Sequence, residues 1–151
     1  MTKSLEILRL LTTAAVTGLA FAGVIQSAQA ETLRDKWCKD VHIRFFVGGA
    51  EGDGFGAIVF NGAKQAQNDT GAQVDFVFSG WSSEKMVQQL REAVASAPDG
   101  IAMMGHPGPD SIAPLSEEAS KAGILMMYQT VDVPTVRAKF GGGYVGANLA
   151  P

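Results

Sequence analysis

From residue 42 onward the chain alternates short apolar runs with longer stretches of helical spacing, and Gly, Pro, Ser or Asp stands at each switch. The runs at 43–47, 74–78, 101–104 and 124–128, with a brief one at 144–145, are expected to be strands. Between them, 55–69, 83–96 and 111–122 are expected to be helices. The middle helix shows why: Met86, Val87, Leu90, Ala93, Val94 and Ala97 fall on one face, leaving Gln88, Arg91 and Glu92 for water. Ser82 or Ser83 can accept a bond from its first free N–H groups, and Pro98, Asp99 and Gly100 stop it. The strand runs are nearly all apolar instead of alternating, the pattern of strands covered by helices on both faces. An α/β fold follows, a doubly wound parallel sheet built as βαβαβαβ. Right-handed crossovers put the strand-to-helix loops on the carboxyl edge, where open α/β sheets take their ligands.

The first thirty residues carry a different signal. Lys3 and Arg9 bracket a short head, residues 10–25 hold no charge, and Ser27-Ala28-Gln29-Ala30 offers small residues at both cleavage positions. A run of about 16 residues is short of the ~20 that cross a bilayer. Residues 1–30 are therefore expected to be a signal peptide cut after Ala30, delivering the protein across the cytoplasmic membrane. Residues 31–41 would lead into the first strand, and 42–151 would form one globular unit.

Charge and cysteine content exclude several classes. The net charge is −3 and Lys and Arg are scattered singly, which gives no electrostatic footprint for nucleic acid. One cysteine, Cys38, and two histidines, His42 and His106, cannot build a disulfide framework or a multi-cysteine zinc site, so neither metal nor cofactor is expected. Cys38 precedes the first strand, away from the ligand edge. The chain has no Gly-x-Ser-x-Gly elbow, no His-Glu-x-x-His and no Gly-Lys-Ser phosphate loop, so no enzyme is expected either.

Four loops converge on the carboxyl edge, at 48–55, 79–82, 105–110 and 129–132. They carry the candidate ligand-binding residues Asp53, Phe55, Trp81, His106, Gln129 and Thr130. Aromatic faces cover C–H patches while carboxylate, imidazole, amide and hydroxyl groups satisfy hydroxyls, so this set suits a neutral polyhydroxylated ligand. Each also has a plainer use: Asp53 can cap the helix after it, Phe55 and Trp81 can fold onto helix ends, and His106 can brace the Pro107-Gly108-Pro109 turn. Asp110 is expected to cap the third helix. Gly52-x-Gly54-x-x-Ala57 fits a loose dinucleotide fingerprint, so an exported α/β oxidoreductase is the competing reading, although the Asp53 carboxylate would repel a pyrophosphate. A periplasmic solute sensor is a third.

The order of leader, first strand, Gly-Asp-Gly-Phe loop and βα units resembles the sugar-binding proteins of bacterial ABC importers, the two-lobed ribose-binding type. Segments 43–71, 74–97, 98–108 and 144–146 carry the likeness. It implies a type I periplasmic binding fold that captures a sugar and delivers it to an ABC permease in the inner membrane. The family's Asn-Pro-Phe-Phe loop falls on Asp53-Gly54-Phe55-Gly56, implying contact roles for Asp53 and Phe55, with Trp81 standing in for the aromatic lost at Gly56. Where the family has an acid followed by Arg, this chain has Gln129-Thr130-Val131 and then Asp132. The family is also longer, so the chain is expected to be an incomplete first lobe without its carboxyl-terminal partner, with one sheet face bare. If contacts divide evenly, a micromolar site worth about −8 kcal/mol leaves roughly −4 on one lobe, which is millimolar.

Overall fold

The computed structural model describes residues 36–146. In order these form β1 (His42–Phe46), α1 (Gly54–Thr70), β2 (Gln73–Val77), α2 (Ser83–Ala95), β3 (Gly100–Met104), α3 (Pro109–Lys121), β4 (Leu125–Gln129), α4 (Pro134–Phe140) and β5 (Gly143–Val145). All five strands pair in parallel, in the order β2-β1-β3-β4-β5. This is the expected α/β architecture, with every strand within one residue of its expected ends. The expected leader and its cut after Ala30 lie outside the described residues, among which no helix is long and apolar enough to cross a membrane.

Local chemistry accounts for most boundaries. Asp53 caps α1, whose far end closes on Gly71 with φ 78°, and Ser82 caps α2. Three details differ from expectation. Helix α3 begins at Pro109 behind Gly108, whose φ of 86° turns the chain without a side-chain cap, so Asp110 lies in the first turn and does not cap. Helix α2 ends at Ala95, and Ala97 stands beyond it, exposed, with φ 47°. Helix α4 was not expected; it starts on Pro134, ends at Gly141 and buries Val136. The Gly141-Gly142 connection into β5 is tight: a Cβ on Gly142 would collide with the Met126 carbonyl.

The crossovers place α2, α3 and α4 on one face of the sheet and α1 on the other. Beneath the three helices, Phe46, Val77, Ile101, Met103, Met126 and Tyr128 join Met86, Leu90, Ala93, Ile112, Leu115, Ala119 and Val136 in a continuous buried core. Each large side chain so buried contributes about 1.5–3 kcal/mol. The single polar pair there is satisfied internally, the Ser116 and Tyr128 hydroxyls lying 2.7 Å apart. On the opposite face α1 sets Phe60 against Phe76 and Phe78, with ring centroids 4.8 and 5.7 Å apart. At the β1–β2 edge, Asp75 accepts from His42 Nε2 and Arg44 Nη1, which hold its carboxyl below the usual range. The strand order reverses direction between β1 and β3, and the crevice at their carboxyl ends is where such sheets take ligands.

Candidate functional site

The loops after β1 and β2 are one body. The Gly49 carbonyl accepts from the Ser79 and Gly80 N–H groups at 3.1 and 3.0 Å, and the Gly48 carbonyl accepts from Trp81 N–H at 2.9 Å. Trp81 is held there with φ 61°, a left-handed conformation that costs a non-glycine residue about 1–3 kcal/mol and persists only where its surroundings enforce it. Gly48 lets the indole settle, since a Cβ at that position would meet Trp81 and Met104.

This arrangement brings three of the sequence-expected residues together. The Trp81 ring lies 5.9 Å from the Phe55 ring on one side and 6.1 Å from the His106 imidazole on the other, in tilted and edge-on geometries. All three are exposed, so the row opens outward from the crevice. Asp53 lies beside it: its carboxylate accepts from the backbone N–H of Gly56, from Ala50 N–H at 3.0 Å and from Trp81 Nε1–H at 2.9 Å. The start of α1 is thus occupied by the protein's own carboxylate, where a dinucleotide would need to lay its pyrophosphate. Gly52 and Gly54, the fingerprint glycines, have open space around them instead of a closely approaching backbone. The oxidoreductase reading is disfavoured on these grounds.

Gln129 and Thr130 are turned toward the scaffold. Gln129 Nε2 donates to the Phe46 carbonyl at 2.6 Å, bracing the end of β4 against the end of β1, and its Oε1 accepts from Thr130 Oγ1 at 2.8 Å. Thr130 has φ 66°, unusual for a β-branched residue, and its carbonyl accepts from the Tyr144 hydroxyl.

Arg137 is the residue that sequence reasoning missed. From α4 it donates to both oxygens of Asp132, Nε to Oδ1 at 2.7 Å and Nη2 to Oδ2 at 2.8 Å. The pair holds the Asp132 carboxyl below its ordinary range and pushes the guanidinium higher. An acid and an arginine therefore do meet after the fourth strand, five residues apart instead of adjacent. The signal was Asp132 ahead of a Pro-initiated turn that carries an arginine. Asp53 is met by three N–H donors and Asp132 by a guanidinium fork, so each of these two carboxylates is already engaged within the protein, while Glu51 and Asp110 on the same loops are exposed. Among the described residues no cluster of His, Cys, Asp and Glu could hold a metal ion.

No family model matches the chain, and no curated protein does. Solved structures do. A Mycobacterium smegmatis protein in complex with β-D-fucofuranose superposes with a TM-score of 0.62 at 21% identity, over 71% of this chain and 34% of its own. An ABC transporter solute-binding protein from Burkholderia graminis, in complex with D-arabinose, gives 0.58 at 22% identity over 66% and 34%. A periplasmic sugar-binding protein from Pseudomonas fluorescens gives 0.58 at 16% identity over 70% and 32%. The chain spans about a third of the length of each of these structures. At such identities the likeness is one of fold: the described residues share the parallel α/β fold of part of these structures.

Proposed function

We propose that this chain is the first-lobe part of a periplasmic solute-binding protein of a carbohydrate ABC transporter, capturing a sugar at its carboxyl edge for delivery to an inner-membrane permease. The observation that carries the reading is the row Phe55–Trp81–His106 at the switch point, with the Asp53 carboxylate bonded to the Trp81 indole beside it. Ring faces meet the C–H surfaces of a sugar, and the polar groups beside them suit its hydroxyls. Export with cleavage after Ala30, a second lobe that closes the cleft and transport without covalent chemistry belong to the same reading. The fold relatives solved with D-arabinose and β-D-fucofuranose support it.

Calorimetric or NMR titration with neutral pentoses and hexoses, run beside NADH, tests it. We expect millimolar sugar binding by this chain, and loss of about 1–3 kcal/mol on Phe55→Ala or Trp81→Ala, the worth of one aromatic face. Binding of NADH and of no sugar, or unchanged affinity in both variants, would overturn it.

A further inference from the structure

Building on the sugar-capture reading, we propose that Asp53 is a positioning residue, whose carboxylate anchors the Trp81 indole by its N–H and so sets the plane of the ring that meets the ligand. Capping α1 needs only one acceptor oxygen, and serine would serve as well as aspartate. What aspartate adds is the second oxygen, Oδ2, which reaches across 28 positions of sequence to Trp81 Nε1 while also accepting from Ala50 N–H. Nε1–H is the one polar donor on an indole ring, so a bond at that far edge restrains the torsions that a side chain projecting from the loop would otherwise keep.

A second observation points the same way. Gly49 and Gly56 flank the carboxylate so closely that a Cβ on either would collide with its oxygens. Gly49 of the first loop and Gly56 of the first turn of α1 thus form a hollow fitted to Asp53, whereas Gly52 and Gly54 border open space. With three N–H groups on two oxygens, little of the carboxylate is left for a ligand, and its influence on binding passes through the ring it holds.

The test uses the full chain in a Trp37→Phe background, where Trp81 is the remaining tryptophan. Asp53→Ser keeps a cap but cannot reach the indole; Gly49→Ala leaves Asp53 in place but crowds its carboxylate out of the hollow. Both are expected to keep the far-ultraviolet helix signal and to lose at least about half of the Trp81 near-ultraviolet dichroism. With D-arabinose as probe, Asp53→Ser should weaken binding about fivefold when Trp81 is present and less than about twofold in a Trp81→Phe background, the signature of action through the ring. An equal loss in both backgrounds would mean direct ligand contact and overturn the proposal, as would an unchanged Trp81 band. In the unsubstituted protein, the Trp81 indole N–H should exchange with solvent several-fold more slowly than that of Trp37, which is 67% exposed; equal rates would also overturn it. If no neutral sugar binds, the sugar reading falls, and the indole measurements still decide the anchoring.

Discussion

The two faces of the sheet are built from the same five strands and finished to different degrees. Under α2, α3 and α4 every strand residue of the core is at most 8% exposed. Under α1, Phe60 packs on Phe76 of β2 and the Lys64 ammonium lies over the same ring; Met104 is buried at its strand end, but Ile43, Phe45, Ala102 and Met127 stay half-buried, and Leu125 is 62% exposed with Ile58 at 72%. One strand therefore carries two kinds of position: in β4, Met126 and Tyr128 are fixed by packing, while Leu125 and Met127 meet little beyond their neighbours in the sheet. Stability resides on one face, and the second adds mainly the aromatic contacts of α1.

Substitutions can break this comparison. Leu90→Ala, in the fully buried core, should cost about 2–5 kcal/mol in chemical denaturation, and a loss below 1 would mean that the core is loosely packed. Ser116→Ala leaves the buried Tyr128 hydroxyl without its partner and should cost about 1–3 kcal/mol; Ser116→Ala combined with Tyr128→Phe should recover part of it. Burial pushes the Tyr128 phenol upward, only partly offset by the Ser116 hydrogen bond. Its contribution is fully present below the unfolded tyrosine value of about 10 and is lost as pH rises through the raised folded value. Tyr128→Phe should therefore flatten the alkaline fall in stability, and an unaltered profile would count against that burial. Leu125→Ala, on the open face, should change stability by less than about 0.5 kcal/mol, a null result that sharpens the contrast with Leu90.

The same contrast explains what was legible in the sequence. Strands and the buried helices announce themselves because their apolar spacing serves a core, so Met86, Leu90 and Ala93 were placed correctly. Helix α4 escaped because its seven residues offer, beyond Pro134, only Val136, Ala138 and Phe140 as apolar side chains, at spacings of two that mark no helical period. Asp110 was misjudged as a cap because Gly108 turns the chain through its backbone alone, which leaves no side-chain signature. Phe55, Trp81 and His106 could be assigned to one edge from topology, but not their mutual contacts. Those depend on the hydrogen bonds of the Gly48 and Gly49 carbonyls, and any residue supplies such groups. The pairing of Asp132 with Arg137 was hidden for a related reason: it is made by the turn of a short helix, not by adjacency.

The backbone bonds of the rim divide it into halves. Gly48 and Gly49 fasten the first loop to the second, and Gly105 N–H donates to the Val131 carbonyl, fastening the third to the fourth. The halves meet through the Trp81–His106 ring contact and the Gln129 bond to Phe46. A chimaera that exchanges residues 105–145 as a block would carry the Gly105–Val131 seam, the Asp132–Arg137 pair and the Thr130–Tyr144 bond together and could be given a new ligand range, whereas grafting any single loop would sever a seam and disturb its neighbour.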